Sequence, residues 1–162
     1  MDGSMIEFLD AFGRFRRAAN RVALHRLKPL GLGTKQAGML RYLLVHERCS
    51  HADLARHTIT DPAATGRILD ALAAKGHVRR AEDPGDRRRW VLSLTPRGRR
   101  LARAVETAYR GLAAELLKPL PPDRRSRLAD DLDVLARAAE ARAERVPRDI
   151  PAIEPSRFQG AP

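Results

Sequence analysis

The chain has one cysteine, seven aromatic residues and four lysines among its 162 residues. No apolar run approaches the ~20 residues that a membrane-spanning helix needs. A single cysteine excludes an intrachain disulfide and any zinc site built on several cysteines, and it fits a reducing cytoplasm. The amino terminus shows no basic stretch followed by an apolar block, so a soluble, unexported, cytoplasmic protein is expected. With few aromatics but 43% apolar residues, aliphatic side chains must build the core of one ordinary-sized domain. No phosphate-cradling glycine loop, nucleophile elbow, zinc-helix motif or carboxylate pair stands out, so no enzymatic activity, cofactor or metal is expected.

Positive charge is what the chain has in excess. Thirty-one basic residues against 20 acidic ones give +11, and the surplus is local. Residues 75–103 carry ten basic and three acidic groups, whereas 104–162 carry ten of each. Twenty-seven of the basic residues are arginine, whose planar fork holds phosphate oxygens or a guanine edge with two hydrogen bonds. A polyanionic partner is the natural reading of the basic block, and a merely solvated face is the alternative.

Along the chain, Phe8, Phe12, Phe15, Ala19 and Val22 recur at helical spacing and predict a long first helix, ended by Pro29 and the Gly31-Leu32-Gly33 turn. Thr34 is the expected N-cap of a second helix with Ala37, Leu40, Leu43 and Leu44 facing inward. Ser50-His51-Ala52-Asp53 has the capping-box form and opens a short third helix. After a turn at Thr58 to Thr60, Asp61-Pro62 offers an N-cap and a first-turn proline for a fourth helix over 62–74. Ile68, Leu69 and Leu72 form its stripe. Val78 to Glu82 and Arg89 to Leu94 then read as a hairpin around Asp83-Pro84-Gly85-Asp86, its tip crowded by Arg87, Arg88 and Arg89. Thr95-Pro96 restarts a helix carrying Leu101, Val105, Ala108, Leu112 and Leu116. Asp123 begins a last one with Leu128, Leu132, Leu135 and Ala139. Residues 147–162 read as a proline-rich, disordered tail.

This order, with Leu72-Ala73-Ala74-Lys75-Gly76-His77-Val78-Arg79-Arg80, Asp83-Pro84-Gly85-Asp86-Arg87-Arg88 and Val91-Leu92-Ser93-Leu94-Thr95-Pro96-Arg97-Gly98, resembles the multiple-antibiotic-resistance regulator (MarR) family of bacterial winged-helix transcription factors. The likeness spans about residues 5–145, and Ser50 to Ala55 is similar to the family's polar-x-x-Leu-Ala segment. It implies a mainly α fold with a small β-hairpin wing: a winged helix-turn-helix at 31–98 and dimerising helices at 1–30 and 95–146. It also implies a DNA-binding regulator, most readily a repressor, that binds a pseudopalindromic operator in double-stranded DNA as a two-fold homodimer. The recognition helix would be 62–74, presenting Pro62, Ala63, Ala64, Thr65, Gly66 and Arg67 to the major groove, with Thr65 and Arg67 as the base readers. The wing would span 78–94, with Asp86 bracing it and Arg87, Arg88 and Arg89 meeting the minor groove or its phosphates. Where the commoner family pattern has hydroxyl residues, this chain has Ala63, Ala64 and Gly66, which leaves more to DNA shape.

The resemblance further implies a small aromatic or anionic effector bound between the dimer helices and the DNA-binding lobe. Arg17, Arg21 and His25, with Tyr42 opposite, are the polar candidates. Cys49 with His46 and His51 offers a redox or metal site, against a quiet thiol. The alternative function is a winged-helix protein-interaction module whose charge serves only solubility.

Overall fold

The computed structural model describes residues 3–58, 60–83, 86–143 and 145; the side chains of residues 83–89 and the segment 147–162, read above as a tail, lie outside the described residues. Two compact units divide the chain, one to Leu116 and one from Leu117. The first holds α1 (Gly3–Leu27), a 3-10 turn (Lys28–Leu30), α2 (Thr34–His46), α3 (His51–Thr58), α4 (Pro62–Ala74), β1 (Val78–Asp83), β2 (Asp86–Leu94) and nearly all of α5 (Pro96–Leu117). The second holds α6 (Pro122–Ala143).

Local chemistry fixes most of these boundaries. The Ser50 amide donates to Asp53 Oδ2 at 3.0 Å and the Asp53 amide to Ser50 Oγ at 3.2 Å, the reciprocal capping box read from the sequence. The Ser50 hydroxyl, then its amide, holds the Asp53 carboxyl below the usual carboxylate range. Asp53 therefore stabilises the fold above its unfolded pKa, and that contribution is lost as pH falls through the lower folded value. Ser50→Ala is expected to cost about 1 kcal/mol in urea denaturation and to flatten the acid limb of stability below pH ~4. An unchanged urea midpoint would refute this. Asp61 caps α4, accepting from the Ala64 amide at 2.8 Å, with Pro62 in the first turn. At the start of α2 the expectation fails by one residue. Gly33 is the cap, its amide donating to Gln36 Oε1 at 3.0 Å, and Thr34 is already helical.

The end of α4 is a Schellman turn. Gly76 sits at φ +69, its amide donates to Ala73 O, and the His77 amide donates to Leu72 O. Only a residue tolerant of left-handed backbone fits there without strain. The chain returns to this point through the hairpin, where Thr95 Oγ1 donates to Gly76 O at 2.7 Å and accepts from the Gly98 amide at 3.0 Å.

The core comprises Leu27, Met39, Leu40, Leu43, Leu54, Leu69, Leu72, Leu92, Leu94 and Val105, each at most 2% exposed. Burial contributes about 1.5–3 kcal/mol per large side chain. The hairpin is antiparallel, pairing Val78 with Leu94 and Glu82 with Trp90. It gains a third partner at its root, because the Cys49 amide donates to Leu92 O at 3.2 Å and the Leu92 amide to Cys49 O at 2.8 Å. The predicted helical face of α1 is present but uncovered: Phe8, Phe12 and Phe15 are 45–53% exposed, with Phe8 and Phe12 stacked at 6.1 Å. Only its last turns, through Ala23 and Leu27, enter the core. In the second unit, α6 exposes Leu128, Leu132 and Leu135 along one side.

Candidate nucleic-acid interface

The outward edge of α4 is shaped by its own period. Thr65, Leu69 and Leu72 fall on one stripe and are fully buried, which leaves Pro62, Ala63 and Arg67 exposed and Ala64 and Gly66 partly so. Thr65 must therefore be withdrawn as a base reader. Its side chain faces the core and its hydroxyl oxygen has no hydrogen-bond partner among the described residues. The spacing to Leu69 and Leu72 was already legible. Arg67 remains, exposed and close enough to Asp61 to help hold that carboxylate down, after the larger effect of the Ala64 amide.

The wing is fastened to this helix. Arg80 on β1 donates to Asp70 on α4 at 2.6 Å. Trp90, 59% exposed, lines a cleft of about 510 Å³ with His51, Gly66, Asp70, Arg80 and Leu92. Trp90, Leu92 and Leu94 alternate along β2, yet of these only Leu92 and Leu94 are buried; Ser93 is buried too, so the root of β2 is covered on both faces. β2 begins at Asp86 rather than Arg89, and the register shifts between Glu82 and Asp83, so Arg87, Arg88 and Arg89 are extra residues of β2 at that irregularity. The side chains of Asp86, Arg87, Arg88 and Arg89 lie outside the described residues.

The four effector candidates separate. His25 lines a cleft of about 830 Å³ between α1 and α5, with Val22, Arg26, Leu30, Ala108 and Glu115. Arg26 and Glu115 form an ion pair beside it. Arg17 and Arg21 are exposed on α1 and are not among the cleft's lining residues. Tyr42 instead packs against His46 and His57, at 4.1 and 4.4 Å between ring centroids. Arg26 and Glu115, 89 positions apart, were invisible to sequence periodicity. Cys49 is buried, and burial, with the Asp53 charge second, pushes its thiol up to about 12. Few thiolates form at neutral pH. Iodoacetamide is expected to label native Cys49 at least ~10-fold more slowly than the unfolded chain at pH 8, and equal rates would restore the redox reading. No metal-holding group of His, Cys, Asp and Glu occurs among the described residues, and no described helix is long and apolar enough to cross a membrane.

A family model described as "MarR family" matches residues 30–89. The chain is 36% identical over 94 residues to HTH-type transcriptional repressors of Mycobacterium bovis and Mycobacterium tuberculosis, covering 58% of this chain and 68% of each relative. This chain belongs to the MarR family. Its fold is that of solved MarR structures. A mutant MarR from E. coli complexed with operator DNA aligns with a TM-score of 0.71 at 24% identity, over 82% of this chain and 95% of that one. A MarR regulator from Methanosarcina mazei Go1 aligns at 0.75 and 21%, over 83% and 98%. The protein is thus a MarR-family, DNA-binding transcriptional regulator with a winged-helix fold.

Proposed function

We propose that this MarR-family protein is a homodimeric repressor that binds a pseudopalindromic operator and leaves it when a small anionic ligand binds. The observation that carries the reading is the exposed edge of α4, with Arg67 and the Asp61 cap, tied through Asp70 and Arg80 to a wing rich in arginine. A helix end of small residues lets its backbone approach base edges, and Arg67 supplies the two-bond reader of guanine. Arg87, Arg88 and Arg89 supply minor-groove or phosphate contacts, with Asp86 bracing the turn. The uncovered apolar faces of α1 and of α6 support two-fold pairing, which sets two recognition helices ~34–36 Å apart. Residues 1–30 and 95–146 then serve dimerisation and 31–98 DNA binding, in the cytoplasm. The cleft holding His25 and Arg26 suits a carboxylate that competes with Glu115 for the guanidinium.

Footprinting of the protein on its own upstream region tests the core of this reading. A protected pseudopalindrome, lost with Arg88→Ala, is expected; absence of sequence preference would defeat it in favour of a protein-interaction module. Arg67→Ala is expected to weaken operator binding by about 1–3 kcal/mol per half-site and relax the preference at one base pair. Uniform weakening across all sequences would instead assign Arg67 to phosphate.

A further inference from the structure

A second concentration of positive charge lies away from the exposed edge of α4. The first two turns of α5 carry Arg97, Arg99, Arg100 and Arg103, all exposed, and no acidic residue occurs before Glu106. At 100° per residue Arg99, Arg100 and Arg103 lie within about 100° of one another, and the four arginines lie opposite buried Gly98, Ala102 and Val105. None of the four has an acidic partner within salt-bridge distance among the described residues, whereas Arg26, Arg41, Arg80, Arg110 and Arg137 all do. The macrodipole makes this costlier still, since the amino end of a helix is its positive pole and favours carboxylates.

Two more cations extend the patch. Lys75, at the end of α4, and Arg97 both act on His77, whose imidazole is held below its ordinary value first by burial and then by these two charges. Arg79 leaves β1 beside Ser93, to which it donates at 2.9 Å. A 13-residue helix separates this cluster from the groove-entering end of α4 by about 20 Å, beyond the screening length of ~8–10 Å. The contacts made by the first turn of α4 alone therefore do not neutralise it.

We propose that this surface, centred on Arg99, Arg100 and Arg103, holds the phosphates of duplex flanking the operator, so that DNA continuing past the wing bends back along its root. The proposal rests on the DNA-binding reading above. Duplex is favoured over an acidic protein because the cations are nearly all arginine, suited to two-bond phosphate contact, and because the patch is continuous in sequence with the wing.

The experiment compares full-length protein with its Arg99→Gln/Arg100→Gln/Arg103→Gln variant on an operator of about 20 bp, obtained by selection from random sequence, with and without about 15 bp of unrelated flank on each side. Exposed helix positions tolerate glutamine, and an unchanged circular dichroism melt verifies folding. The expected result is that flanks tighten wild-type binding about tenfold or more and steepen its salt dependence by up to ~5 contacts, while the variant loses that gain and binds the bare operator as wild type does. Equal weakening on both duplexes would place these arginines in operator binding and overturn the proposal; no weakening on either would leave an acidic protein as the occupant and overturn it too. If selection enriches no sequence, the operator reading fails, and mixed-sequence duplex of about 60 bp still decides: salt-sensitive binding lost in the variant supports the patch, and unchanged binding refutes it.

Discussion

Gly98→Ala is expected to destabilise the protein by about 3 kcal/mol or more and lower its melting temperature by about 10 °C or more. A Cβ at this position would stand 1.9 Å from His77 O and 2.8 Å from its carbonyl carbon. The obstacle is backbone that cannot rotate aside. The His77 carbonyl also accepts from the Thr95 amide at 3.0 Å, so moving it loosens the cap of α5 and the Schellman turn together. Gly38 is the control, since a Cβ there meets only Thr58 Cγ2 at an ordinary 3.9 Å. In mid-helix, Gly38→Ala should be neutral or stabilising by up to ~1 kcal/mol. Thermal denaturation of both variants checks the pair, and an unshifted midpoint for Gly98→Ala would show that α5 can slide away without cost.

Operator affinity is expected to fall about 10³–10⁵-fold between 50 and 200 mM salt, the consequence of releasing counterions from 6–10 phosphates per dimer. Arg67, Arg87, Arg88 and Arg89 of each protomer motivate this magnitude, because the terminal segment 104–162 has no net charge to contribute. Fluorescence of Trp90, the single tryptophan, reports the titration from within the cleft beside α4. A slope shallower than about three released ions would mean that the wing arginines do not reach the duplex.

Features decided within a few residues were legible in the sequence. Ser50 with Asp53, Asp61 with Pro62, and Thr95 with Pro96 each satisfy backbone donors locally, and the resulting helices begin where those pairs stand. Thr65 went astray for a different reason: its residue type suits groove contact, but its spacing to Leu69 and Leu72 puts it in the core, and spacing decides which way a helical side chain points. The Cys49 to Leu92 pairing and the Arg26 to Glu115 ion pair join residues 43 and 89 positions apart, and no periodicity encodes such meetings. Arg17, Arg21 and His25 share one side of α1 at four-residue spacing, yet only His25 lines the cleft between α1 and α5. The phenylalanines of α1 announced an apolar face, and the described residues leave it exposed.

The pair of amide bonds between Cys49 and Leu92 has a mechanical consequence. At Leu92 a single bridge to Cys49 gives the hairpin a third backbone partner, and toward its tip it is a two-stranded ribbon. A load applied to the ribbon is therefore expected to act as torque about Leu92. Cys49 is followed directly by Ser50 and the start of α3, so tilting of the ribbon is expected to be coupled to movement of α3. Slow amide exchange at Cys49 and Leu92, in step with each other, would be the signature of that fulcrum.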